Sequence, residues 1–486
     1  MNPTGAWMIL PIVVPLVGAV LAFLLRPRAA AAVGLVASGL VLAAVGLLCV
    51  RVASGGPGRY ELAGWEAPLG IGLHADGLAA LMLLMAAVVG SASSVYAAGY
   101  FARRRADQDN PEGVEGSFWP LWMFLWASLN ALFLSADVFN LYVALELLGL
   151  SSAALVALGR TREALRAAMR YLLVSLLGSL AYLAGVALLY GGFGTLSLQG
   201  LADQLSSGPT AWTAVALITL GMALKTALFP LHAWLPPAYA SAPAPVSALL
   251  SGLGVKASFY LLLRLWFVAF PEAVSPAAGH LLGGLGAAAI VWGSVLALRQ
   301  KGLKTLLAYS SVAQIGYLFL VFSLADAPGS AAWNGGVYLV FSHALAKAAM
   351  FMAAGLIAEV LGHDELSQSD GLAQHLPLTV GTFAIAGVTL MGLPPSGGFT
   401  AKWLLLGAAM ADGRWLLVAV ILAGGLLAAA YLFRFLGHAL LNGPAGKVHA
   451  RPPRGPELVA FALAATSLLL GLLSAPLLAL LGVGAG

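Results

Sequence analysis

Apolar runs of about twenty residues follow one another along almost the whole chain, and short polar loops separate them. A run of this length is long enough to cross the hydrocarbon core of a membrane as a helix. Charged residues make up only 9% of the 486 residues, against about 25% in soluble domains. Because backbone groups in lipid must be hydrogen-bonded within their own segment, helices are the expected element. The sequence therefore predicts an all-α polytopic membrane protein.

About fourteen transmembrane helices fit these runs. Their predicted spans are 7–25, 30–50, 75–100, 117–135, 138–158, 168–190, 211–235, 244–268, 279–298, 303–324, 332–360, 377–411, 414–440 and 457–481. The seventh and the twelfth spans carry prolines and a lysine inside the run, and we predict that both are broken.

The seventh span places Lys225 within an apolar run and then meets Pro230, Pro236 and Pro237. Pro230 has no N–H, so the carbonyl of Thr226 loses its helical partner. In hydrocarbon that carbonyl must face protein or water, and a lysine beside freed carbonyls is typical of an ion path. The alternative interpretation is a proline-kinked helix whose lysine snorkels to the membrane interface.

The twelfth span shows the same pattern. Pro394 and Pro395 remove two backbone donors, which frees the carbonyls four residues earlier, and Lys402 follows closely. Two broken spans, five spans apart, predict two inverted five-helix repeats, because an odd number of helices reverses the orientation of the second copy. The predicted parts are residues 1–116 (helices 1–3), 117–270 (helices 4–8), 271–441 (helices 9–13) and 442–486 (helix 14).

Basic residues collect in the loops on one side of the predicted membrane, among them Arg103–Arg105, Arg160, Arg162 and Lys301. The positive-inside rule makes this side cytoplasmic, so both termini are expected on the non-cytoplasmic side of the plasma or inner membrane. The formal net charge of +5 belongs mostly to these loops and does not indicate nucleic-acid binding.

Ionisable side chains inside the apolar runs are the candidates for function. A lysine costs about 2.5–3.5 kcal/mol at a helix centre, so several of them together are not accidental. Glu146, the acidic residue in NLYVALELLGL, is predicted to lie roughly 13 Å along its helix from the membrane surface, near the bilayer midplane. His343 and Lys347 are four residues apart and share one helix face; a histidine merely hydrogen-bonded within the bundle is the alternative for His343. The candidates for proton translocation are Glu146, Lys225, Lys256, His343, Lys347 and Lys402.

Further polar residues have two interpretations each. Asp137 lies on the opposite helix face from Glu146, which favours a helix N-cap over a mouth for protons. His232, in the first break, could relay protons or satisfy freed carbonyls. Asp76 is predicted to cap the third helix. A polar stretch in the tenth span is expected to form interhelical hydrogen bonds; it contains Tyr309, Ser310, Ser311 and Gln314.

The sequence indicates no cofactor chemistry. Cys49 is the single cysteine, and no convincing strand precedes a nucleotide-binding motif. The acidic loop that contains His363 and Asp370 matches no metal site and is predicted to be solvated. We therefore expect no bound cofactor or metal, and energy supplied by an ion gradient or by partner subunits. Whether the chain belongs to an enzyme complex stays open.

Six segments closely resemble one known family: NLYVALELLGLSS, ALKTALFPLHAWLPPAYASAPAPVSALLSG, VKASFYLLLR, LKTLLAYSSVAQIGY, HALAKAAMF and GLPPSGGFTAK. The family comprises the antiporter-like subunits shared by respiratory complex I, the multisubunit Mrp cation/proton antiporters and membrane-bound group 4 hydrogenases. The resemblance covers about residues 70 to 440. It implies fourteen helices with inverted repeats, and proton transfer at the middle of the membrane along the six candidate residues.

One position departs from the family pattern. Tyr239 stands after WLPPA where many members have histidine, and a tyrosine does not take up a proton near pH 7. A proton relay through Tyr239 is therefore in doubt.

The resemblance also defines two expected functions. The chain length, Lys402 and the short C-terminus resemble the D-type subunits of Mrp antiporters most closely. We expect a proton-translocating subunit of a multisubunit cation (Na⁺)/proton antiporter, whose partners are other membrane subunits, the lipid bilayer, protons and a monovalent cation. The alternative is a pumping subunit of a complex I-like NADH/quinone oxidoreductase or of a group 4 hydrogenase.

Overall fold

The structure is a computed structural model that describes residues 5–65, 70–106, 113–441 and 452–484. Its α-helices are α1 (Leu10–Leu24), α2 (Pro27–Gly55), α3 (Gly77–Ala106), α4 (Val114–Leu134), α5 (Val138–Ala157), α6 (Arg162–Phe193), α7 (Leu198–Gln204), α8 (Pro209–Lys225), α9 (Leu235–Ser241), α10 (Ala244–Leu249), α11 (Val255–Arg264), α12 (Pro276–Arg299), α13 (Leu303–Phe319), α14 (Val321–Leu324), α15 (Ala331–Leu361), α16 (Leu372–His375), α17 (Pro377–Met391), α18 (Gly397–Ala411), α19 (Trp415–Leu440), α20 (Arg454–Leu469) and α21 (Ser474–Leu481).

The chain is a mostly helical polytopic membrane protein. In the described ranges, eleven helical segments are long and apolar enough to cross a membrane, or twelve if α20 and α21 count as one span. Outer helices such as α1 and α19 leave large apolar side chains exposed, for example Phe23 and Leu416, as lipid contact requires. The start of the predicted C-terminal part at residue 442 and both chain ends lie outside the described residues.

Both predicted helix breaks are present. Helix α8 ends at Lys225 and α9 begins at Leu235, while α17 and α18 are separated by five residues beginning with Gly392 at φ +80°. Pro236 and Pro237 do not break a helix a second time, because they lie in the first turn of α9. Proline suits this position, since the first N–H groups of a helix have no intrahelical acceptor.

The last predicted span, residues 457–481, is not one straight helix. It is divided into α20 and α21, whose axes meet at 78°. Gly471, in the bend, lies so close to the α17–α18 break that a Cβ atom there would be 1.8 Å from the carbonyl oxygen of Pro395. Only glycine allows this backbone approach, and the bend therefore packs the end of the chain against the second break.

The eighth predicted span is interrupted by two π-helical turns that its apolar pattern does not show. Residues Leu250–Gly254 form the first turn and Leu265–Ala269 the second, on either side of α11. Every residue of α11 is buried. Such turns are rare and, where they occur, often lie at functional sites. Here the first one ends two residues before Lys256.

The absence of strands, expected from the sequence, is wrong at one place. Strands β1 (Gly58–Glu61) and β2 (Gly72–Ala75) pair antiparallel in the loop between α2 and α3. Their side chains alternate between more and less buried positions, which is the pattern of a half-covered strand. The hairpin covers one end of the bundle, and no predicted site residue lies on it.

Helix α15 forms the centre of the second half of the molecule. It packs against α3, α10, α13, α17, α18 and α20. Its residues are buried along almost the whole length of the helix. Together with α11, it places two predicted lysines and a histidine far from lipid.

Candidate functional site

Lys402 lies at the second break as the sequence predicts. Its ammonium group donates to the carbonyl oxygen of Leu390 at 2.7 Å and lies 3.5 Å from that of Met391, the two residues that end α17. The ring of Tyr317 lies 4.2 Å from the same nitrogen, in cation–π distance. The prediction of a buried lysine beside freed carbonyls is confirmed here.

Lys225 is held differently at the first break. Its ammonium group donates to the hydroxyl of Ser175 on α6 at 2.8 Å. The indole N–H of Trp234 donates to the carbonyl of Leu224 at 3.0 Å, and so satisfies one of the last carbonyls of α8. With only 8% of its surface exposed, Lys225 does not snorkel to an interface.

Glu146 lies on α5 within electrostatic range of Lys225. Its Oε1 atom is buried and finds no hydrogen-bond partner in the described part of the chain. Gly149, about one turn later on α5, leaves room for the Ser175 hydroxyl that holds the lysine, because a Cβ atom there would lie only 2.4 Å from that hydroxyl. The local sequence thus allows α5, α6 and α8 to meet around one buried ammonium group.

Lys256 lies two residues after the end of the first π-helical turn. Its nitrogen donates to the carbonyl of Ser251, and the Ser251 hydroxyl contacts the Ser311 hydroxyl of α13 at 3.3 Å. The π-helical turn supplies this carbonyl, because it shifts the hydrogen-bond register of the helix. The sequence alone predicts the lysine but not its acceptor.

Lys347 and His343 lie one turn apart on α15. The Lys347 nitrogen donates to the carbonyl of Leu307 and, at 2.8 Å, to the hydroxyl of Ser310, both on α13. Both ring nitrogens of His343 are buried and have no hydrogen-bond partner within the described residues. The interpretation of His343 as a histidine hydrogen-bonded in the bundle therefore finds no support, and its ring lies among the charges of Lys256, Lys347 and Lys402.

Helix α13 connects these lysines. The predicted interhelical hydrogen bonds of its polar stretch are confirmed at Ser310, Ser311 and Gln314. Gln314 donates to the carbonyl of Leu390 at 3.3 Å, the same oxygen that accepts from Lys402. Helix α13 therefore contacts Lys347 directly and shares the Leu390 carbonyl with Lys402. It also contacts the side chain of Ser251, the residue whose carbonyl accepts from Lys256.

The three predicted relay residues have separate environments. Asp137 caps α5, since its Oδ1 atom accepts from the N–H groups of Phe139 at 3.0 Å and Asn140 at 2.7 Å, which confirms the N-cap interpretation. His232 is buried beside the ring of Phe229, with ring centroids 5.7 Å apart. The Tyr239 hydroxyl donates to the carbonyl of Leu250 at 2.9 Å and so satisfies an acceptor at the start of the first π-helical turn.

A buried ion pair between Asp76 and Arg264 was not predicted from the sequence. Asp76 caps α3 as predicted, by accepting from the N–H of Ala79 at 2.9 Å. Its carboxylate also accepts two hydrogen bonds from Arg264, and the Arg264 Nε atom donates to the hydroxyl of Tyr260 at 3.1 Å. The sequence signal for a buried partner was Arg264 itself, a second basic residue that follows Lys256 by eight positions in the same apolar run.

These contacts define the chemistry that the site can perform. The lysines are held by neutral oxygen atoms, so that burial makes their charged forms costly and sensitive to neighbouring charges. Protons are therefore the ligand that this set of residues can exchange. Within the described residues, no group of histidine, cysteine and acidic side chains could hold a metal ion.

The fold and the site define a polytopic membrane protein with buried titratable residues spread through its interior. Residues 135–428 match the family described as NADH:quinone oxidoreductase/Mrp antiporter, TM. The chain belongs to this family.

Two curated relatives are similar over most of their length. The N subunit of the NADH-quinone oxidoreductase of Desulforudis audaxviator is 39% identical over 420 residues, which are 85% of this chain and 80% of the relative. The D subunit of the Na(+)/H(+) antiporter of Alkalihalophilus pseudofirmus is 32% identical over 430 residues, which are 86% of this chain and 84% of the relative.

Three solved structures of multisubunit assemblies contain similar chains. A chain of the Mrp complex from Dietzia sp. has a TM-score of 0.88 at 26% identity and covers 100% of this chain and 97% of its own. A chain of an archaeal membrane-bound sulfane sulfur reductase has a TM-score of 0.88 at 30% identity, and the match covers 98% of this chain and 96% of that one. A chain of respiratory complex I from Thermus thermophilus has a TM-score of 0.77 at 26% identity, and the match covers 97% of this chain and 98% of that one.

Proposed function

We propose that the chain is a proton-translocating membrane subunit of a multisubunit cation (Na⁺)/proton antiporter. The observation that carries the proposal is the set of buried lysines held by neutral oxygens at helix breaks and at a π-helical turn. A relative named as the D subunit of an Na(+)/H(+) antiporter and a similar chain in an Mrp complex support the same class of complex.

Protons move, in this proposal, through the buried residues from one half of the molecule to the other. Glu146 sets the charge of Lys225, while Lys256, His343 and Lys347 form the central group and Lys402 the last. When one lysine gains a proton, its positive charge repels positive charge on the neighbouring lysines. The next residue along the path therefore tends to release its proton. His343 lies within electrostatic range of Lys256, Lys347 and Lys402, so its charge responds to theirs.

The arrangement in the membrane is part of the proposal. Eleven single spans are found in the described residues. Three broken helix pairs would bring the number of crossings to fourteen: α8 with α9, α17 with α18, and α20 with α21. The two lysine-bearing breaks lie five crossings apart and support two inverted five-helix repeats, residues 117–270 and 271–441. The basic ends of α3 and α13 would then face the cytoplasm and both termini the opposite side of the plasma membrane.

A second function has support of its own. The 39% identity with a relative named as the N subunit of an NADH-quinone oxidoreductase favours a proton-pumping subunit of a complex I-like oxidoreductase. In such a complex the partner subunits would supply the redox chemistry and this chain the same proton path.

Purification of the intact complex tests both proposals. The partner chains are identified by mass spectrometry, and the complex is placed in vesicles with a pH-sensitive dye. An antiporter subunit predicts a pH change on addition of Na⁺ without an electron donor. An oxidoreductase subunit predicts a pH change only when a donor is oxidised. A complex that moves protons under neither condition contradicts both.

A further inference from the structure

A polar pocket of about 280 Å³ opens at the basic end of the helix bundle. It lies where α3, α13, α15 and the connection from α9 to α10 come together. The charged residues of its lining are Arg104, Arg160, Lys304 and Glu359. The proposed proton path uses none of them.

The charges of the pocket are arranged by depth. The Arg104 Nε atom lies 3.8 Å from the Glu359 Oε1 atom, and the arginine side chain is 40% exposed while that of the glutamate is only 13% exposed. Lys304 donates to the carbonyl of Ala242 at 2.7 Å, in the wall formed by the α9–α10 connection. The Glu359 carboxylate is therefore less exposed than the Arg104 guanidinium, and the Lys304 amine belongs to the same lining.

Helix α13 leads from the pocket to a buried lysine. Lys304 lies in the first turn of α13, and Leu307 follows three residues later, about 4.5 Å along the helix axis. The carbonyl of Leu307 and the hydroxyl of Ser310 are the acceptors of Lys347. One to two helical turns therefore separate the wall of the pocket from the binding site of Lys347.

We propose that this pocket is the opening through which protons reach Lys347 from the cytoplasm, with Glu359 and Lys304 as the first two carriers. The inference rests on the proposed function and adds the residues of its access route. The Glu359 carboxylate first takes up a proton from hydronium at the mouth of the pocket. Lys304 then releases its proton through water to neutral Lys347, and protonated Glu359 passes its proton to the neutral Lys304 amine. One proton enters for each proton delivered, and the charge of the pocket is restored.

The test modifies the pocket chemically and leaves the buried residues unchanged. In a Cys49→Ser background, Ala358→Cys places a thiol in the pocket lining, and Lys301→Cys places one on the exposed surface nearby. A membrane-impermeant, negatively charged methanethiosulfonate is added to the cytoplasmic face of vesicles that contain the whole complex. We expect labelling to abolish most proton transport in the Ala358→Cys complex and to leave the Lys301→Cys complex unchanged. Equal transport before and after complete labelling of Ala358→Cys overturns the inference.

Two substitutions at the acid give a second readout. Glu359→Gln removes a proton carrier and is expected to slow transport at least about tenfold, while Glu359→Asp keeps the carrier and most of the rate. Complex abundance, measured in parallel, separates this loss from failed assembly. If Glu359→Gln transports at the wild-type rate, the inference is wrong. A wild-type complex that moves no protons contradicts the proposed function instead.

Discussion

The ammonium group of Lys402 donates to the carbonyl oxygen of Leu390 at 2.7 Å, across the break between α17 and α18. The side-chain amide of Gln314 donates to the same oxygen at 3.3 Å. The Leu390 carbonyl therefore has two donors. If Lys402 releases a proton, as the proposed function requires, Gln314 still satisfies this buried acceptor.

The close approach of backbone at this break gives a first prediction. A Cβ atom on Gly398 would lie 1.9 Å from the carbonyl oxygen of Thr389, whereas nothing lies within 4 Å of one on Gly407 in the same helix. Gly398→Ala should destabilise the protein by about 1–3 kcal/mol or more through overpacking. Gly407→Ala, the matched control, should stabilise it by about 0.5–1 kcal/mol. Thermal unfolding in detergent measures both, and equal melting temperatures would contradict the packing of α17 against α18.

The charge of Glu146 gives a second prediction. Glu146→Gln preserves side-chain volume and removes the negative charge within range of Lys225. We expect normal complex abundance together with loss of proton-coupled transport, because the lysine then lacks the neighbour that sets its charge. Vesicle pH measurements and immunoblots of the same membranes provide the check. Near-normal transport at normal abundance would refute the role of Glu146.

The hairpin contributes a pH-dependent prediction. Burial lowers the pKa of His74 from 6.5 to about 4, with Asp76 opposing the shift and Arg264 and Arg59 adding to it. As pH falls from 6.5 towards 4, the unfolded chain takes up a proton at His74 and the folded protein does not, so the unfolding free energy decreases.

A variant isolates this contribution. Burial raises the pKa of Asp76, but Arg264 lowers it further, below its usual value, so the ion pair stays charged over the same window. His74→Gln should therefore show a flatter fall in melting temperature between pH 6.5 and pH 4 than the wild type. A fall as steep as that of the wild type would assign the acid sensitivity to other groups.

The orientation in the membrane gives a fourth prediction. Cysteines placed between Arg160 and Arg166, in a Cys49→Ser background, should react with an impermeant reagent only from the cytoplasmic face. Reporters fused to either chain end should be active only outside the cytoplasm. The fully reversed pattern would contradict the proposed orientation, and chain ends on opposite sides would show that the number of crossings differs from fourteen by one.

Much of the fold follows from local sequence properties. Apolar length predicts the helices, and the missing N–H groups of Pro230, Pro394 and Pro395 predict the two breaks. Non-local contacts could not be predicted in the same way. The bend between α20 and α21 depends on how Gly471 approaches a distant break, and the β-hairpin depends on pairing across a loop.

The candidate site shows the same division. A buried lysine is visible in the sequence, because its charge interrupts an apolar run. The acceptor of Lys402 is visible too, because Pro394 and Pro395 free the carbonyls four residues earlier. The acceptors of Lys256 and Lys347 are not visible, since the carbonyls of Ser251 and Leu307 belong to backbone that any residue could supply. The partner of Arg264 was equally hidden, because Asp76 lies 188 residues away along the chain.

The lysine-to-arginine exchange at position 402 tests the central claim most directly. Arginine keeps its charge at any accessible pH, so it can replace a structural cation but cannot release a proton. We predict that Lys402→Arg and Lys402→Ala both assemble at wild-type abundance and both lose most proton transport, measured as vesicle pH change against complex abundance. Transport preserved by arginine, or assembly lost with alanine while the remaining complexes transport normally, would show that Lys402 is a structural cation and would contradict the account.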